Sequence, residues 1–420
     1  MTATQRRTIE LVEHQPTQLA PRELDWALAE KLWRDYGAQV TVEFPSPKTD
    51  GRWRLTAQGW AGYIPLSEEV GISLLPKVRP GDLFRMLEYA YGLKGFRLLD
   101  DSYEADSLQG FYDRLAEILA RRILIRERAG LYREYLGRRG PLPYVRGRLD
   151  APKMARRPWS PEPWCRYRES TADIEDNRIL AWTTFLVGRS GALRDRTARL
   201  VRRAHHALHA AVTVWPIGPE ACEQRAYNRL NADYEPLHAL CRFFLEHTGP
   251  ATAAGDREML PFLVDTARLY EKFVSGWLAE HLPEGLRATP QEKVHIGGSL
   301  RFDIDLVLYD ADKGLPLCVL DTKYKDPSAP EAGDVEQVVA YAEARGCREA
   351  VLVYPFGPEE GLEASVGRIR ARTLTFPPGA DIERSGPRFI EELLVQLAPG
   401  FSRAPGHRLS GGESDHTQAQ

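Results

Sequence analysis

The spacing of apolar residues changes from helical to strand-like near Leu282, and this change most constrains the fold. Apolar and polar residues alternate along two nearby segments, Leu300–Tyr309 and Leu315–Tyr324. Alternation with a period of two is typical of half-buried strands. The intervening Asp310–Gly314 has the composition of a turn, so the two segments predict a β-hairpin.

Further strand and helix patterns surround this hairpin. They predict a strand over Glu292–Gly297, a helix over Asp334–Arg345, a strand over Ala350–Tyr354 and a closing helix over Pro387–Leu397. Strands that alternate with a helix are typical of a compact α/β domain, which we expect at residues 258–400. Residues 401–420 are polar and without periodicity, and we expect a disordered tail there.

Two regions precede this domain. Residues 1–80 are expected to form a β-rich N-terminal module, with one helix over Pro21–Tyr36 and strand-like runs at Val40–Phe44, Trp53–Leu55 and Ile72–Leu75. Residues 81–257 are expected to form a helical, basic middle domain. Apolar spacing near 3.6 predicts helices over Asp82–Tyr91, Leu108–Tyr135, Asp173–Val187, Ala192–Val212 and Ala226–His247, and over Pro261–Leu282 beyond it. The expected fold class is multidomain, with α+β and α/β parts.

Composition argues against several classes of protein. Apolar residues make up 43% and charged residues 27%, as in ordinary globular chains. No apolar run approaches the roughly 18 residues that cross a bilayer, and the N-terminus lacks a signal-peptide core, which predicts a cytoplasmic protein without membrane contact. The five cysteines form no CxxC pair, which argues against a zinc site or a disulfide framework. No G-x-x-x-x-G-K-[ST] loop is present, so we expect no nucleotide to bind this chain.

Charge is distributed unevenly along the chain, although the net charge is only -3. Between Arg121 and Arg157 there are 12 Lys and Arg residues against 3 Asp and Glu. Such an excess neutralises DNA phosphates in some proteins and forms a solvated helix face in others. Arg146 and Arg148 alternate onto one side of an extended segment and are candidate DNA-binding residues. The alternative is that they pair with acids such as Asp173 or Asp176.

The predicted hairpin brings chemically matched side chains together. Asp303 and Asp305 lie on the polar face of the first strand, whereas Asp321 and Lys323 share one face of the second. If the strands fold about the turn, Asp305 lies opposite a residue near Leu320, within about one residue of Asp321. Adjacent carboxylates repel each other, so such a pair favours a bound cation.

Two carboxylates and a lysine suit the hydrolysis of a phosphodiester. Mg²⁺ prefers oxygen ligands and keeps several waters, so Asp305 and Asp321 with a phosphate oxygen would hold it well. The cation activates a water, and Lys323 orients that water or stabilises charge on the phosphate. The alternative is that these charges only protect a strand edge from aggregation. Asp303 is a rival to Asp305 as the first metal ligand.

Two flanking residues extend this candidate site. Gln337 shares a helix face with Asp334 and Tyr341, and it either points into the site or faces solvent. Glu271 lies beside the apolar stripe of another helix, where by itself it would be a surface partner of a nearby Lys or Arg.

The order of these motifs resembles the McrC family, the nuclease subunit of the McrBC modification-dependent restriction system. The resemblance extends from about Leu83 to Pro355 and is carried by Tyr144–Asp150, Asp173–Leu180, Leu269–Val274, Asp305, Leu320–Lys325, Asp334–Ala342 and Ala350–Pro355. One position departs from the family pattern, because Ile304 stands where the family usually has a proline before the first catalytic aspartate. A strand accommodates isoleucine at least as well.

The resemblance implies a C-terminal PD-(D/E)xK restriction-endonuclease-like domain. Asp305, Asp321 and Lys323 match its catalytic places, with the two aspartates as Mg²⁺ ligands, and Glu271 and Gln337 match positions that support the site. The resemblance also implies DNA as substrate and a McrB-like AAA+ GTPase ring as partner. That partner would bind GTP and recognise modified DNA of the 5-methylcytosine type, and residues 1–80 would insert into its ring.

Three functions stay open on this basis. The first is a Mg²⁺-dependent DNA endonuclease subunit of a GTP-dependent restriction complex. The others are a non-catalytic DNA-binding or regulatory subunit with a nuclease-like fold, and a stand-alone defence nuclease. Intact Asp305, Asp321 and Lys323 favour an enzyme, whereas the basic middle region and the N-terminal module favour a protein with a partner.

Overall fold

The computed structural model of the chain describes residues 7–67, 69–93, 108–248, 260–298, 300–325, 329–379, 382–395 and 397. The chain divides into two compact units, Met1–Phe273 and Val274–Gln420. The predicted tail at 401–420 lies outside the described residues. Within the described part of the chain, no helix is both long enough and apolar enough to cross a membrane.

The described strands of the N-terminal unit form three sheets. The first has the order β1 (Arg7–Val12), β6 (Val70–Leu75), β5 (Trp60–Pro65) and β10 (Phe262–Asp265). The second pairs β2 (Pro16–Leu19), β4 (Trp53–Ala57) and β3 (Val40–Glu43). The third pairs β7 (Glu134–Pro141), β9 (Trp164–Thr171) and β8 (Arg148–Leu149).

Helices make up much of the rest of this unit. They are α1 (Trp26–Tyr36), α2 (Pro80–Ala90), α3 (Leu108–Ala129), α4 (Ala151–Ala155), α5 (Glu175–Arg189), α6 (Asp195–His209), α7 (Tyr234–His247) and the beginning of α8 (Thr266–His281). The first helix starts later than predicted. The Asp25 carboxylate accepts a hydrogen bond from the Ala27 backbone N–H at 2.9 Å and caps α1, whereas Pro21–Glu23 forms a separate 3₁₀ turn.

The middle region is not purely helical, which corrects the prediction for residues 81–257. The predicted helix over Leu108–Tyr135 ends at Ala129, because Gly130 has a φ of +97° that a helix cannot continue through, and β7 follows. Most residues of β7 are exposed or half-buried, so no alternation marks it in the sequence. The predicted helix over Pro261–Leu282 loses its first turn to β10, which pairs with β5.

The described strands of the C-terminal unit form one six-stranded sheet. Its order is β11 (Leu286–Ile296), β12 (Leu300–Asp310), β13 (Leu315–Thr322), β14 (Glu349–Tyr354), β16 (Ile369–Thr375) and β15 (Glu363–Val366). Strands β12 and β13 are antiparallel, as the predicted hairpin requires, whereas β13 and β14 are parallel. A parallel connection needs a crossover, and α9 (Ala332–Arg345) supplies it.

A buried core fixes this sheet against α9. Its members are apolar side chains of β12, β13, β14 and α9: Ile304, Val307, Val319, Val338, Ala342, Ala350 and Leu352. Val307 and Val319 lie two residues from Asp305 and Asp321 on their strands, so alternation places both carboxylates on the face that packs against α9. The closing helix α10 (Ile382–Leu394) begins before Pro387, where the sequence predicted its start, and that proline lies inside the helix.

Candidate functional site

The register of the β12–β13 hairpin brings the two predicted carboxylates next to each other. The paired residues run as far as Leu306 opposite Leu320. Asp305 and Asp321 are the next residue on each strand, at the point where the pairing ends. The structure therefore confirms the predicted register. Because the pairing stops before these two residues, their side chains lie at an opening between the strands.

The surroundings of the two rival aspartates differ. One carboxylate oxygen of Asp305, Oδ2, accepts hydrogen bonds from the Thr322 backbone N–H at 2.8 Å and from Thr322 Oγ1 at 2.9 Å. The Asp303 side chain is 54% exposed, and it forms an ion pair with Arg301 at 2.8 Å. Asp305 thus lies inside the cluster and Asp303 points to solvent, which favours Asp305 as the first carboxylate of the site.

Asp321 is the buried member of the pair. Its side chain is 2% exposed, and its Oδ2 lies 2.8 Å from Lys323 Nζ. The ammonium is close enough for an ion pair, but within the described chain no donor is aligned for a hydrogen bond to this oxygen. Burial, followed by the neighbouring charge of Asp305, raises the pKa of Asp321 to about 7.

Lys323 lies among acceptors from two elements. Its Nζ donates a hydrogen bond to Gln337 Oε1 at 2.9 Å, and Gln337 Nε2 donates to Tyr341 Oη at 2.8 Å. Burial opposes the charge on Lys323, but the nearby carboxylates, first Asp321 and then Asp334, outweigh it and raise the pKa of the ammonium group. Gln337 therefore faces the site, which decides between the two orientations that the sequence left open.

Two contacts at the site were not predicted. In a regular strand Thr322 points to the opposite face from Asp321, yet it reaches Asp305 where β13 leaves β12. Asp334 lies one helical turn before Gln337, 2.6 Å from Lys325 Nζ and 3.7 Å from Lys323 Nζ. The spacing of three residues on α9 marked the shared face of Asp334 and Gln337, but it did not indicate these lysine partners.

The donor set fits a hard divalent cation that needs few protein ligands. Within the described residues, no group of three or more His, Cys, Asp and Glu side chains forms a complete metal site. Asp305 and Asp321 supply two carboxylates, and the second has a buried oxygen without a hydrogen bond. Mg²⁺ takes one or two carboxylates and completes its shell with water and phosphate oxygens, so the two aspartates match its requirements.

The other predicted site residues lie in the N-terminal unit. Glu271 is a half-buried residue of α8, between the buried Tyr270 and Phe273. The guanidinium of Arg146 lies over the Tyr167 ring, 4.9 Å from its centroid, and donates to the Arg168 carbonyl oxygen at 3.3 Å. Arg148 is exposed on β8. A role of these residues in catalysis or DNA binding stays a prediction.

The proposed ion pairs of Arg146 and Arg148 with Asp173 or Asp176 are wrong. Asp173 pairs with Arg178 at 2.7 Å, and Asp176 pairs with Arg225 at 3.0 Å. Both acids are thus paired with cations that come later in the chain than the two arginines. The reason is local: Asp173 and Asp176 lie at the start of α5, close to Arg178 and to the segment before α7.

The chain thus has two units. The α/β sheet of the C-terminal unit carries two carboxylates and a lysine at one hairpin. A comparison with protein families then identifies it more closely. The sequence profile of the family described as McrBC 5-methylcytosine restriction system component matches residues 55–355. The chain belongs to this family.

Solved structures were found that resemble this chain. A chain of the refined half-complex from a tetradecameric assembly of Thermococcus gammatolerans McrB AAA+ hexamers with bound McrC matches with a TM-score of 0.57 and 19% identity, covering 93% of this chain and 100% of that one. A chain of the Thermococcus gammatolerans McrBC complex, solved by cryo-EM, matches with a TM-score of 0.44 and 20% identity over 66% of this chain and 89% of that one. No curated protein matches. The first likeness shows a shared fold over most of the chain.

Proposed function

We propose that this chain is the Mg²⁺-dependent DNA endonuclease subunit of a GTP-dependent, modification-dependent restriction complex, and that its C-terminal unit is a PD-(D/E)xK nuclease domain. One observation carries the proposal. Asp305, Asp321 and Lys323 converge at the open end of one hairpin, with Asp321 buried and Lys323 at 2.8 Å from it. Burying charges of this kind costs stability, so their presence indicates a function such as binding a cation.

Each of these side chains has a part in the proposed reaction. Asp305 and Asp321 hold Mg²⁺ by their carboxylate oxygens. Bound Mg²⁺ lowers the pKa of a coordinated water and offsets charge that develops on the scissile phosphate. Lys323 orients the attacking water or stabilises the charge on the phosphate, and Gln337 holds the Lys323 ammonium by the hydrogen bond at 2.9 Å.

The proposal includes a partner. The solved half-complex holds McrB AAA+ hexamers with bound McrC, and we propose that this chain binds a similar ring, which hydrolyses GTP and recognises DNA modified in the manner of 5-methylcytosine. Residues 1–80 are proposed to contact that ring. Arg148, exposed on β8, and Arg146 are proposed to contact DNA phosphates.

Two variants on the same strand test the site. In the complex with its GTPase, Asp305→Ala should lose detectable Mg²⁺-dependent cleavage of modified DNA, since it removes a metal ligand. Asp303→Ala is the matched control, because Asp303 has the same chemistry two residues away but is exposed and paired with Arg301. It should cleave at close to the wild-type rate.

The opposite results are equally informative. Cleavage that survives Asp305→Ala but is lost in Asp303→Ala would show that Asp303, and not Asp305, is the first metal ligand. If both variants cleave like the wild type, this hairpin is not the nuclease site.

A further inference from the structure

Thr322 lies in the chain between Asp321 and Lys323 and donates hydrogen bonds to Asp305, the third charged residue of the site. Its backbone N–H and its hydroxyl both donate to the same oxygen of Asp305, Oδ2, at 2.8 and 2.9 Å. Its neighbours in the chain are Asp321 and Lys323, which form the ion pair at 2.8 Å. The tripeptide of residues 321–323 therefore supplies one carboxylate directly and restrains the other through Thr322.

The geometry of the hairpin explains why such a restraint is needed. The pairing of β12 with β13 ends at Leu306 and Leu320, so no ladder hydrogen bond fixes the separation of the strands beyond that point. Asp305 and Asp321 repel each other across this opening. The two hydrogen bonds from Thr322 cross the opening and attach the Asp305 carboxylate to β13.

The two hydrogen bonds have different chemical origins. Every residue except proline has the backbone N–H, but only a hydroxyl side chain adds the second donor. Threonine is also branched at Cβ, which limits its side-chain rotamers and holds the hydroxyl in one direction. The half-buried position of Thr322 keeps water from competing freely for the same oxygen.

We propose that Thr322 is a positioning residue for metal binding. By holding Asp305 Oδ2 with its hydroxyl, it would leave the other carboxylate oxygen of Asp305 to bind a cation that Asp305 and Asp321 hold together. A ligand that is already oriented loses less conformational freedom when the metal binds, so the hydroxyl raises metal affinity without touching the metal. This inference rests on the proposed Mg²⁺ site.

Thr322→Val is the variant that tests this inference. Valine keeps the shape, the branching and the backbone N–H and removes only the hydroxyl. Thr322→Ser restores a hydroxyl on a smaller side chain and is the matched control. The first measurement is the thermal stabilisation of the full-length chain by Mn²⁺ or Mg²⁺ titrated alone. The second is the Mg²⁺ concentration for half-maximal DNA cleavage in the complex with the GTPase.

The proposed role of the hydroxyl predicts a definite order of metal affinity among the variants. Thr322→Val should need on the order of tenfold more metal than the wild type in both measurements, the usual range for the loss of a residue that orients a ligand. Thr322→Ser should stay close to the wild type. Cleavage by Thr322→Val should recover in large part at saturating Mg²⁺, because Asp305, Asp321 and Lys323 are intact.

Several outcomes would overturn the inference. Metal binding by Thr322→Val that equals the wild type, or metal binding by Thr322→Ser as weak as that of the valine variant, shows that the hydroxyl has no such role. If the valine variant does not fold, Thr322→Ala removes the same hydroxyl and must show the same weakening. A wild-type chain that neither binds metal nor cleaves DNA would instead refute the proposed function, and the inference with it.

Discussion

Asp321 is a carboxylate that is buried next to charges of both signs. Lys323 stabilises its ionised form, whereas burial and the charge of Asp305 oppose ionisation. The opposing effects are larger, and the pKa is therefore raised to about 7. An unfolded chain ionises the same group near pH 3.9. Between these values the folded protein binds more protons than the unfolded one, so its stability falls as the pH rises from about 4 to about 7.

Asp321→Asn should therefore stabilise the metal-free protein. In the presence of EDTA we expect the variant and the wild type to unfold at similar temperatures near pH 4. The variant should gain a growing advantage up to about pH 7 and keep it above. Thermal unfolding followed across this pH range measures the effect. A melting-temperature difference that is independent of pH would contradict the burial of an ionisable carboxylate at this position.

Sequence patterns predicted most of the residues in the site, but not their contacts. Alternation along β12 and β13 placed Asp305, Asp321 and Lys323 near one another, and the spacing on α9 placed Gln337 on a face with Asp334. The same alternation gave no reason to expect Thr322 in the site. Its contact with Asp305 depends on where the two strands separate, which is a tertiary property that no local pattern encodes.

At the level of elements, exposure explains part of the difference between the strands that the sequence predicted and those that it missed. Strands β12, β13 and β14 have one or both faces in a core, so their apolar residues recur with a clear period. Strand β7 lies largely in solvent and has no such period. Strand β10 was missed for a different reason: it pairs with β5 about 200 residues earlier, and its four residues continue directly into a helix.

The packing of α10 depends on one glycine. A Cβ at Gly386 would lie 2.2 Å from Cζ2 of Trp277, a ring that also contacts Phe376 with centroids 4.9 Å apart. Phe376 in turn stacks on Phe389 of the same helix, with centroids 4.5 Å apart. The indole therefore has aromatic neighbours on several sides and little room to move away from an added methyl group.

Gly386→Ala should destabilise the protein by about 1–3 kcal/mol, the usual cost of forcing an extra carbon into a packed core. Gly333→Ala in the first turn of α9 is the matched control, because a Cβ there meets no atom within 4 Å. Alanine is the better helix former, so the control should be neutral or stabilising by up to about 1 kcal/mol. Urea unfolding of the two variants measures both effects, and equal stabilities would contradict the packing described for α10.

At the scale of the whole molecule, the two units carry different chemistry. The C-terminal unit holds the paired carboxylates and Lys323. The basic segment from Arg121 to Arg157 lies in the N-terminal unit, on the end of α3 and on the exposed strands and short helix that follow. We infer that cleavage belongs to the C-terminal unit and that contact with the GTPase ring belongs to the N-terminal unit. A substitution that abolishes DNA cleavage should then leave the contact with the GTPase ring intact, and the reverse should also hold.

Asp321→Ala tests this account most directly. The variant, assembled with its AAA+ GTPase and modified DNA, should show no Mg²⁺-dependent DNA cleavage, while it stimulates GTP hydrolysis by the partner as strongly as the wild type. Both activities are measured on the same preparation, so the GTPase rate reports that the variant is folded and bound. DNA cleavage at the wild-type rate would contradict the central claim that Asp305, Asp321 and Lys323 form the nuclease site.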